Sequence, residues 1–396
     1  MIHPDHALEL LASTAKPLPA RAVSLSRAAG HVLAQEVRAR VSFPPAPVAA
    51  MDGYAVRLPE ACGQALPMLF TVAAGDDPPP LPAGGCARIF TGAVVPEGAT
   101  AVVAQEDVEL VGGQVRFPAQ ISPGDNIRQK GEVFAQGEVL AEAGVVLTPA
   151  HLALLAAAGK KRLVVHPKPR VAVVATGSEL ADEKLTRGKI FDSNTPMLES
   201  FLLLSGFAVA AKARVPDQLD ALQKTLTSLL AHADVVITTG GVSVGDLDLL
   251  PQAVQELGGE VIFHKVAMQP GKPVLAAKVG ERFILGLPGN PVSALVGFRL
   301  FALPLLRALA GFAQAFHEPW TPLPLAGPVS NRGQRVQFRP ARELPSETGK
   351  AVEVLPWKGS HDLKAAAQAT HLARLDAGFA GQAGDRVLAV ELYRPR

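Results

Sequence analysis

Two aspartates stand just beyond a pair of glycines in the run Ala233-Asp-Val-Val-Ile-Thr-Thr-Gly240-Gly241-Val-Ser243-Val-Gly-Asp246-Leu-Asp248. The β-branched stretch 235–239 stops abruptly at the glycines, whose missing Cβ lets backbone N–H groups approach an oxyanion. Asp246 and Asp248 could hold a divalent cation against that anion. A glycine cradle followed by paired acids suits phosphate and oxyanion chemistry. Three further loops follow strand-like runs: Ala175-Thr-Gly-Ser-Glu179-Leu180, Met268-Gln269-Pro-Gly-Lys272-Pro273 and Leu285-Gly-Leu-Pro-Gly-Asn290-Pro-Val-Ser293. Each alone reads as an ordinary strand-to-helix turn, because Gly and Pro end strands everywhere. As a group they concentrate Glu179, Asp246, Asp248, Lys272 and a helix start that Asn290 or Ser293 could cap, where free N–H groups favour an anion. Lys272, with its backbone restrained between Gly271 and Pro273, is either a point charge for an oxyanion or a solvated surface lysine.

Other chemistries are excluded by pattern. No loop carries the Gly-Lys-[Ser/Thr] of a nucleotide-binding P-loop, and none fits the G-x-G-x-x-G fingerprint, so ATPase and nicotinamide oxidoreductase readings fall. The histidines at 151, 166, 264, 361 and 371 lack ligand spacing, which argues against zinc. On spacing alone Asp52-Gly53 is an Asp-Gly turn. Thr91-Gly92 falls at a strand end, Arg128 adds a cation, and Trp357-Lys-Gly-Ser360-His361 is weak by itself.

The elements that must position these loops divide the chain. Apolar spacing predicts a helix over 5–15 and a second over 26–37 with Ser26 as N-cap. Prolines at 44, 45 and 47 end that pattern, and short alternating runs over about 46–130 predict a β-rich domain. A helix returns over 149–158. Between 168 and 310 strands and helices alternate, with strands at 171–175, 235–239, 261–263, 274–276 and 283–285, and helices at 196–205, 218–230 and from 292. That order predicts a parallel, helix-covered sheet with its site at the carboxyl ends of the strands. From about 316 strand-like pieces at 335–338, 351–355 and 386–392 predict a second β domain.

The whole is therefore an α/β and β multidomain protein: a discontinuous N-terminal and linking domain (1–45 and 131–167), a β-rich insert (46–130), a central α/β domain (168–315) and a C-terminal β domain (316–396). At 396 residues, roughly two to four domains are expected. Lys+Arg 38 against Asp+Glu 36 leaves a net charge of +2 with no basic tract, which argues against nucleic acid as a partner. Cys62 and Cys86 have neither metal nor disulfide spacing. The N-terminal residues lack the basic and apolar regions of a signal peptide. The apolar run 292–310 contains Arg299, Pro304 and Arg307 and reads as a packed helix, not a membrane span. A cytoplasmic protein with no membrane partner is expected.

The ordered motifs resemble the molybdopterin molybdenumtransferase family, the MoeA-type enzymes and the carboxy-terminal part of gephyrin. They are Met51-Asp52-Gly-Tyr-Ala-Val, Thr91-Gly-Ala with Pro96 and Gly98, Asn126-Ile-Arg128 with Gly131-Glu, and Thr176-Gly-x-Glu179-Leu. Asp192-x-Asn194, Gly240-Gly241-Val-Ser243-Val-Gly-Asp246-x-Asp248, Pro270-Gly-Lys272-Pro273, Leu287-Pro-Gly-Asn290-Pro-Val-Ser293-Ala and Gly359-Ser360-His complete the series. The resemblance spans nearly the whole chain. It implies an α/β domain of the molybdopterin-binding type and insertion of molybdate into adenylylated molybdopterin, with Mg²⁺ assisting and AMP released. It implies a homodimer whose cleft joins the α/β domain of one subunit to the insert of its partner. Transient contacts with other cofactor-biosynthesis proteins or apo-molybdoenzymes follow as an expectation.

Carried over by motif, Asp248 is a metal and catalytic carboxylate, with Asp217 and Asp246 as further metal ligands. Glu179, Lys265 and Lys272 line the same cleft, and Asp52 and Thr91 reach in from the insert. Gly240, Gly241, Ser243, Pro273, Asn290 and Ser293 contact substrate, and Arg335 and Ser360 contact molybdate. Three positions depart from the family's pattern: Gln269 replaces the first Lys of Lys-Pro-Gly-Lys-Pro, Val133 replaces the Asp of Gly-Glu-Asp, and Ser178 replaces the Asp of Thr-Gly-Asp-Glu. Either fewer charges serve the same reaction, or the chain is a divergent paralogue preferring tungstate or a non-catalytic cofactor carrier. The retained Asp246, Asp248 and Lys272 favour the first. The preceding step, adenylylation from ATP, is disfavoured because related domains carry Gly-Gly-Thr-Gly where this chain reads Gly240-Gly241-Val-Ser243.

Overall fold

The computed structural model describes all residues except 182–183, 242–248, 318, 347–348 and 394–396. Two compact units make up the chain, one comprising Met1–Arg21, Gly30–Ala34 and Val165–Arg396, the other Ala22–Ala29 and Gln35–Val164. The first unit holds the α/β sheet: β1 (Val171–Thr176), α1 (Asn194–Leu204), β2 (Val209–Val215), α2 (Leu219–Leu230), β3 (Val235–Thr239), α3 (Leu249–Glu256), β4 (Glu260–His264), β5 (Leu275–Val279), β6 (Arg282–Leu287) and α4 (Pro291–Gly297). The strand order is β2-β1-β3-β6-β5-β4. Strands β2, β1, β3 and β6 run parallel. The expectation of a parallel sheet needs one correction: β5 is antiparallel to both neighbours, because Gly280, at φ 56°, turns it straight into β6 as a hairpin.

Burial explains why these residues become strands. Every residue of β1 and β3 is buried, as expected of central strands covered on both faces, whereas the edge strand β2 alternates half-buried and exposed. Val171, Val173, Val235 and Ile237 pack with Leu198, Phe201 and Leu202 of α1, and their neighbours Ala172, Val174 and Val236 pack with Leu222, Leu226, Leu250 and Val254 of α2 and α3. Register then fixes the rim. Ala175 pairs with Thr239, Thr239 with Leu287, and Thr176 with Val215, so the chain leaves four parallel strands at one level.

From α4 the helical run continues to Leu309 through a π-helical stretch, Phe298–Ala302. The whole run Pro291–Leu309 is long and apolar enough to cross a membrane, yet 94% of its most apolar window is buried inside the protein. The C-terminal strands Thr321–Pro324, Val336–Ser346, His371–Leu375 and Arg386–Glu391 form a second sheet. That sheet recruits the two-residue strand Met268–Gln269, which runs parallel to Val336 and Gln337. The N-terminal helix Pro4–Thr14 is also fastened here: Arg374 donates two hydrogen bonds to Asp5, at 2.8 and 2.9 Å.

In the other unit a six-stranded sheet is built from residues 101–104, 53–56, 86–89, 65–72, 114–116 and 109–111, all within the expected β-rich insert. The helix Pro149–Ala157 starts with Pro at its first position and a Thr148 cap. The helix expected over 26–37 does not form. A single 3₁₀ turn, Leu25–Arg27, is followed by Gly30 at φ 69° and two short strands, Val32–Leu33 and Val37–Arg38. The left-handed glycine ends the helical turn after one cycle.

Asp234, at the foot of β3, is the sheet's buried charge. It accepts from the Arg170 backbone N–H at 2.8 Å, from Arg170 Nε and Nη2 at 3.2 Å each, and from Arg282. Burial acts to raise its carboxyl pKa, but the hydrogen bonds and charge of Arg170, with Arg282, prevail and hold it below the ordinary value. A depressed folded-state pKa contributes stability above the unfolded value of about 3.9, lost as pH falls through the folded one. Asp234→Asn is expected to lower stability by about 2 kcal/mol at neutral pH and to flatten the acid limb of a stability–pH curve measured by denaturant titration.

Candidate active site

The rim of β1, β2, β3 and β6 opens onto a cavity of about 660 Å³ lined by Glu179, Asp192, Asn194, Asp217, Gly240 and Gly241, among others. Glycine at 240 answers a packing demand. Its φ is 85°, and a Cβ there would lie 2.5 Å from the Thr176 carbonyl oxygen and 2.7 Å from Oγ1. The cradle inferred from the sequence is corrected in one respect: the Gly240 N–H is already spent on the Leu287 carbonyl at 3.0 Å, so it ties β3 to β6 and cannot greet an anion. Asp217 emerges just past β2 and accepts the Ser178 backbone N–H at 2.9 Å, while Lys189 bonds the Ser178 carbonyl. Ser178, one of the three departures, thus keeps a local role at the rim through its backbone. Asp192 caps α1 by accepting from the N–H groups of Asn194 and Thr195, both at 3.0 Å.

A second cavity of about 430 Å³ adjoins the first and shares Pro273, Pro288, Asn290 and His361 with it. It is lined by Gln269, Lys272, Ser293, Arg335, Lys358 and Ser360 among others. Its loop is pinned from beneath: the Lys272 carbonyl accepts from Val266 N–H at 2.9 Å, and Arg335 Nη1 donates to the Met268 carbonyl at 3.2 Å. Gln269 accepts from Gln337 Nε2 at 3.3 Å, an uncharged cross-strand pair where the family pattern has a lysine. Asn290 does precede α4 as its N-cap residue, but its side chain makes no capping bond. The helix start is also less open to an anion than the sequence suggested, since Pro291 has no N–H and Val292 N–H donates to the Ser360 carbonyl at 3.0 Å.

The two cavities differ in charge. Among the described residues, the first is lined by three carboxylates, Glu179, Asp192 and Asp217, and by no lysine or arginine. The second is lined by Lys272, Arg335 and Lys358 and by no carboxylate. Asp362, next to this lining, is held below the ordinary carboxylate range chiefly by the backbone N–H of Lys358 and then that of Ala365. Carboxylate oxygens suit a hard divalent cation, and clustered ammonium and guanidinium groups suit a tetrahedral dianion.

Several expected site residues are not among the described lining of either cavity. Lys265 lines neither cavity; its backbone, at φ 67°, clamps the N-terminus, accepting from Ile2 N–H at 3.2 Å and donating to Val274 at 3.1 Å. Ser243, Asp246 and Asp248 lie outside the described residues. Asp52 and Thr91 belong to the other unit, where they form a pair: the Asp52 carboxylate accepts the Thr91 N–H at 2.8 Å and its Oγ1–H at 2.7 Å. Those two bonds, the backbone one first, hold the Asp52 carboxyl below its ordinary pKa. Asp52 is therefore more than a turn residue. The sequence reading assigned no role to Asp192, Asn194, His361 or Phe191, although Asp192-x-Asn194 ahead of an apolar helix is a legible cap signal.

Residues 2–159 match the MoeA N-terminal region (domain I and II), and residues 172–308 match a probable molybdopterin binding domain. The chain is 39% identical over 364 residues to molybdopterin molybdenumtransferase 2 of Mycobacterium tuberculosis, covering 88% of this chain and 89% of that one. With the molybdopterin molybdenumtransferase of Staphylococcus aureus (strain MSSA476) it shares 34% over 321 residues, 79% and 77% of the two chains. A crystal structure of the MoeA molybdopterin biosynthesis protein from Pyrococcus horikoshii gives a TM-score of 0.82 at 28% identity, covering 99% of each chain. Fold and relatives together define an enzyme of molybdenum cofactor biosynthesis. The chain belongs to the molybdopterin molybdenumtransferase family.

Two outcomes are expected from this geometry. Gly240→Ala should lose at least about 1–2 kcal/mol from left-handed strain alone, read as a fall in Tm, with further loss from the Thr176 contact. Thr91→Val removes one of two hydrogen bonds to Asp52, and its carboxyl pKa, followed by NMR titration, should rise toward the ordinary value without reaching it.

Proposed function

We propose that this chain inserts molybdate into adenylylated molybdopterin and releases AMP. The single observation that carries this reading is the pair of adjoining cavities, one acidic and one cationic, at the carboxyl rim of the sheet. Molybdate is a tetrahedral dianion, and Lys272, Arg335 and Lys358, with the Ser360 hydroxyl, would offer it charge and hydrogen bonds. The phosphoanhydride is placed over the acidic cavity, where negative phosphate would be repelled by Glu179, Asp192 and Asp217 unless a cation intervened.

That donor set fits Mg²⁺, which takes one or two carboxylates together with substrate phosphates. Asp217 would hold it, with Asp246 and Asp248, which lie outside the described residues. When bound, the ion supplies charge neutralisation for the departing AMP phosphate. Protein groups do the rest: Ser178 N–H fixes the Asp217 carboxylate, and the Lys272 loop, tied to Val266 and Arg335, holds the dianion close. Fixing both reactants in one cleft replaces an encounter in solution with a positioned reaction. A homodimer, in which the Asp52–Thr91 pair of one subunit completes the cleft of the other, remains part of the proposal. So does a cytoplasmic setting, supported by two unpaired thiols, Cys62 and the buried Cys86, whose pKa burial pushes up to about 11. The carrier reading opened by Gln269 and Val133 is not favoured, since three cations still line the anion cavity, while molybdate and tungstate, dianions of the same shape, are separated only by the assay.

Purified protein supplied with adenylylated molybdopterin, Mg²⁺ and either molybdate or tungstate should yield AMP and metallated cofactor by mass analysis. Asp248→Asn should reduce AMP release at least about a hundredfold, the scale of losing one charge-stabilising group. Undiminished release by that variant would remove Asp248 from the mechanism.

A further inference from the structure

Apolar side chains line the acidic cavity, and neither phosphate nor metal chemistry uses them. Ile190 and Phe191, on the loop between β1 and α1, are 56% and 54% exposed, and Leu363, across at the C-terminal part of the chain, is 41% exposed. All three line the cavity, together with His361. An exposed aromatic at the mouth of a cleft is a ready contact surface. The residues next to it are tied down: Ile190 N–H donates to the Glu179 carbonyl at 2.9 Å, Ala181 N–H donates to the Ile190 carbonyl at 2.8 Å, and Asp192 then caps α1. Asn194, in the same lining, is 7% exposed. Its Nδ2 is held by the Gly289 carbonyl at 2.7 Å, and its buried Oδ1 has no hydrogen-bond partner. A buried acceptor held this way lacks a donor. A flat nitrogen heterocycle offers a π face for Phe191, and its edge N–H groups could serve Asn194 once that buried Oδ1 is uncovered.

We infer that Phe191, which lines the cavity with Ile190 and Leu363, is a stacking platform for a heteroaromatic ring of the substrate. The inference rests on the proposed use of adenylylated molybdopterin, whose pterin and adenine are both rings of this kind. The platform lies beside the acidic cavity and away from Lys272 and Arg335, so it sets affinity for the organic substrate and leaves the oxyanion untouched.

Equilibrium binding of AMP and of a simple pterin to the full chain, in separate titrations, tests this. One ring should bind, Phe191→Ala should weaken it about fivefold, and Phe191→Tyr should restore it while molybdate affinity stays constant. In turnover, Phe191→Ala should raise KM for the adenylylated substrate with kcat preserved. Weakening confined to AMP assigns the platform to adenine, and weakening confined to the pterin assigns it there. If a ring binds the unaltered protein and Phe191→Ala binds it equally well, the platform is overturned while the proposed reaction stands. If neither ring binds although AMP is released in turnover, the platform also falls. Absence of AMP release would instead strike the proposed reaction.

Discussion

Thr176 and Gly240 meet so closely that no Cβ fits between them, and this contact sets the geometry of everything above the sheet. It lets the ends of β1 and β3 close together at one level, while the Gly240 N–H bond to Leu287 brings β6 up to the same level. From that shared edge the chain sends out Gly177, Asp217, Gly240 and Pro288, and all four line one cavity. A side chain at 240 would separate the strands and tilt each loop differently. The glycine thus acts first on packing and only through packing on chemistry.

Charge is sorted across the rim. Carboxylates lie on one side and cations on the other, with Pro273, Pro288, Asn290 and His361 shared between them. Mixed in one pocket, these groups would pair with each other, as Asp234 does with Arg170 and Arg282 at the opposite end of β3. Kept apart by prolines, which offer neither charge nor N–H, they stay available for ligands of opposite sign. The same residue types therefore stabilise the foot of the strand and leave its head reactive.

Much of this was legible in the sequence. Buried β-branched runs gave away β1 and β3 and an apolar run gave away β6, and the loops after them carried Glu179, Gly240 and Asn290 onto one rim by topology alone. The antiparallel β5 was legible but not read: the gap between the expected strands at 274–276 and 283–285 is too short for a parallel crossover and fits only a hairpin. The failed helix over 26–37 shows helical apolar spacing overruled by one left-handed glycine. Lys265 was placed in the cleft by motif, yet the clamp on Ile2 takes its backbone elsewhere, a long-range contact that leaves no local trace. Nor could spacing say that Val292 N–H would be claimed by Ser360, some seventy positions later in the chain.

Met268 and Gln269 belong to one domain by sequence and to another by hydrogen bonding, since they form a strand of the C-terminal sheet. The loop that carries Lys272 is therefore stitched into a sheet whose other strands lie beyond residue 320. Any fluctuation that opens that sheet must also release the loop, and any anion that holds the loop must also resist the opening. If the Lys272 loop holds an oxyanion as proposed, its occupancy and the amide protection of distant C-terminal strands are two readings of one equilibrium.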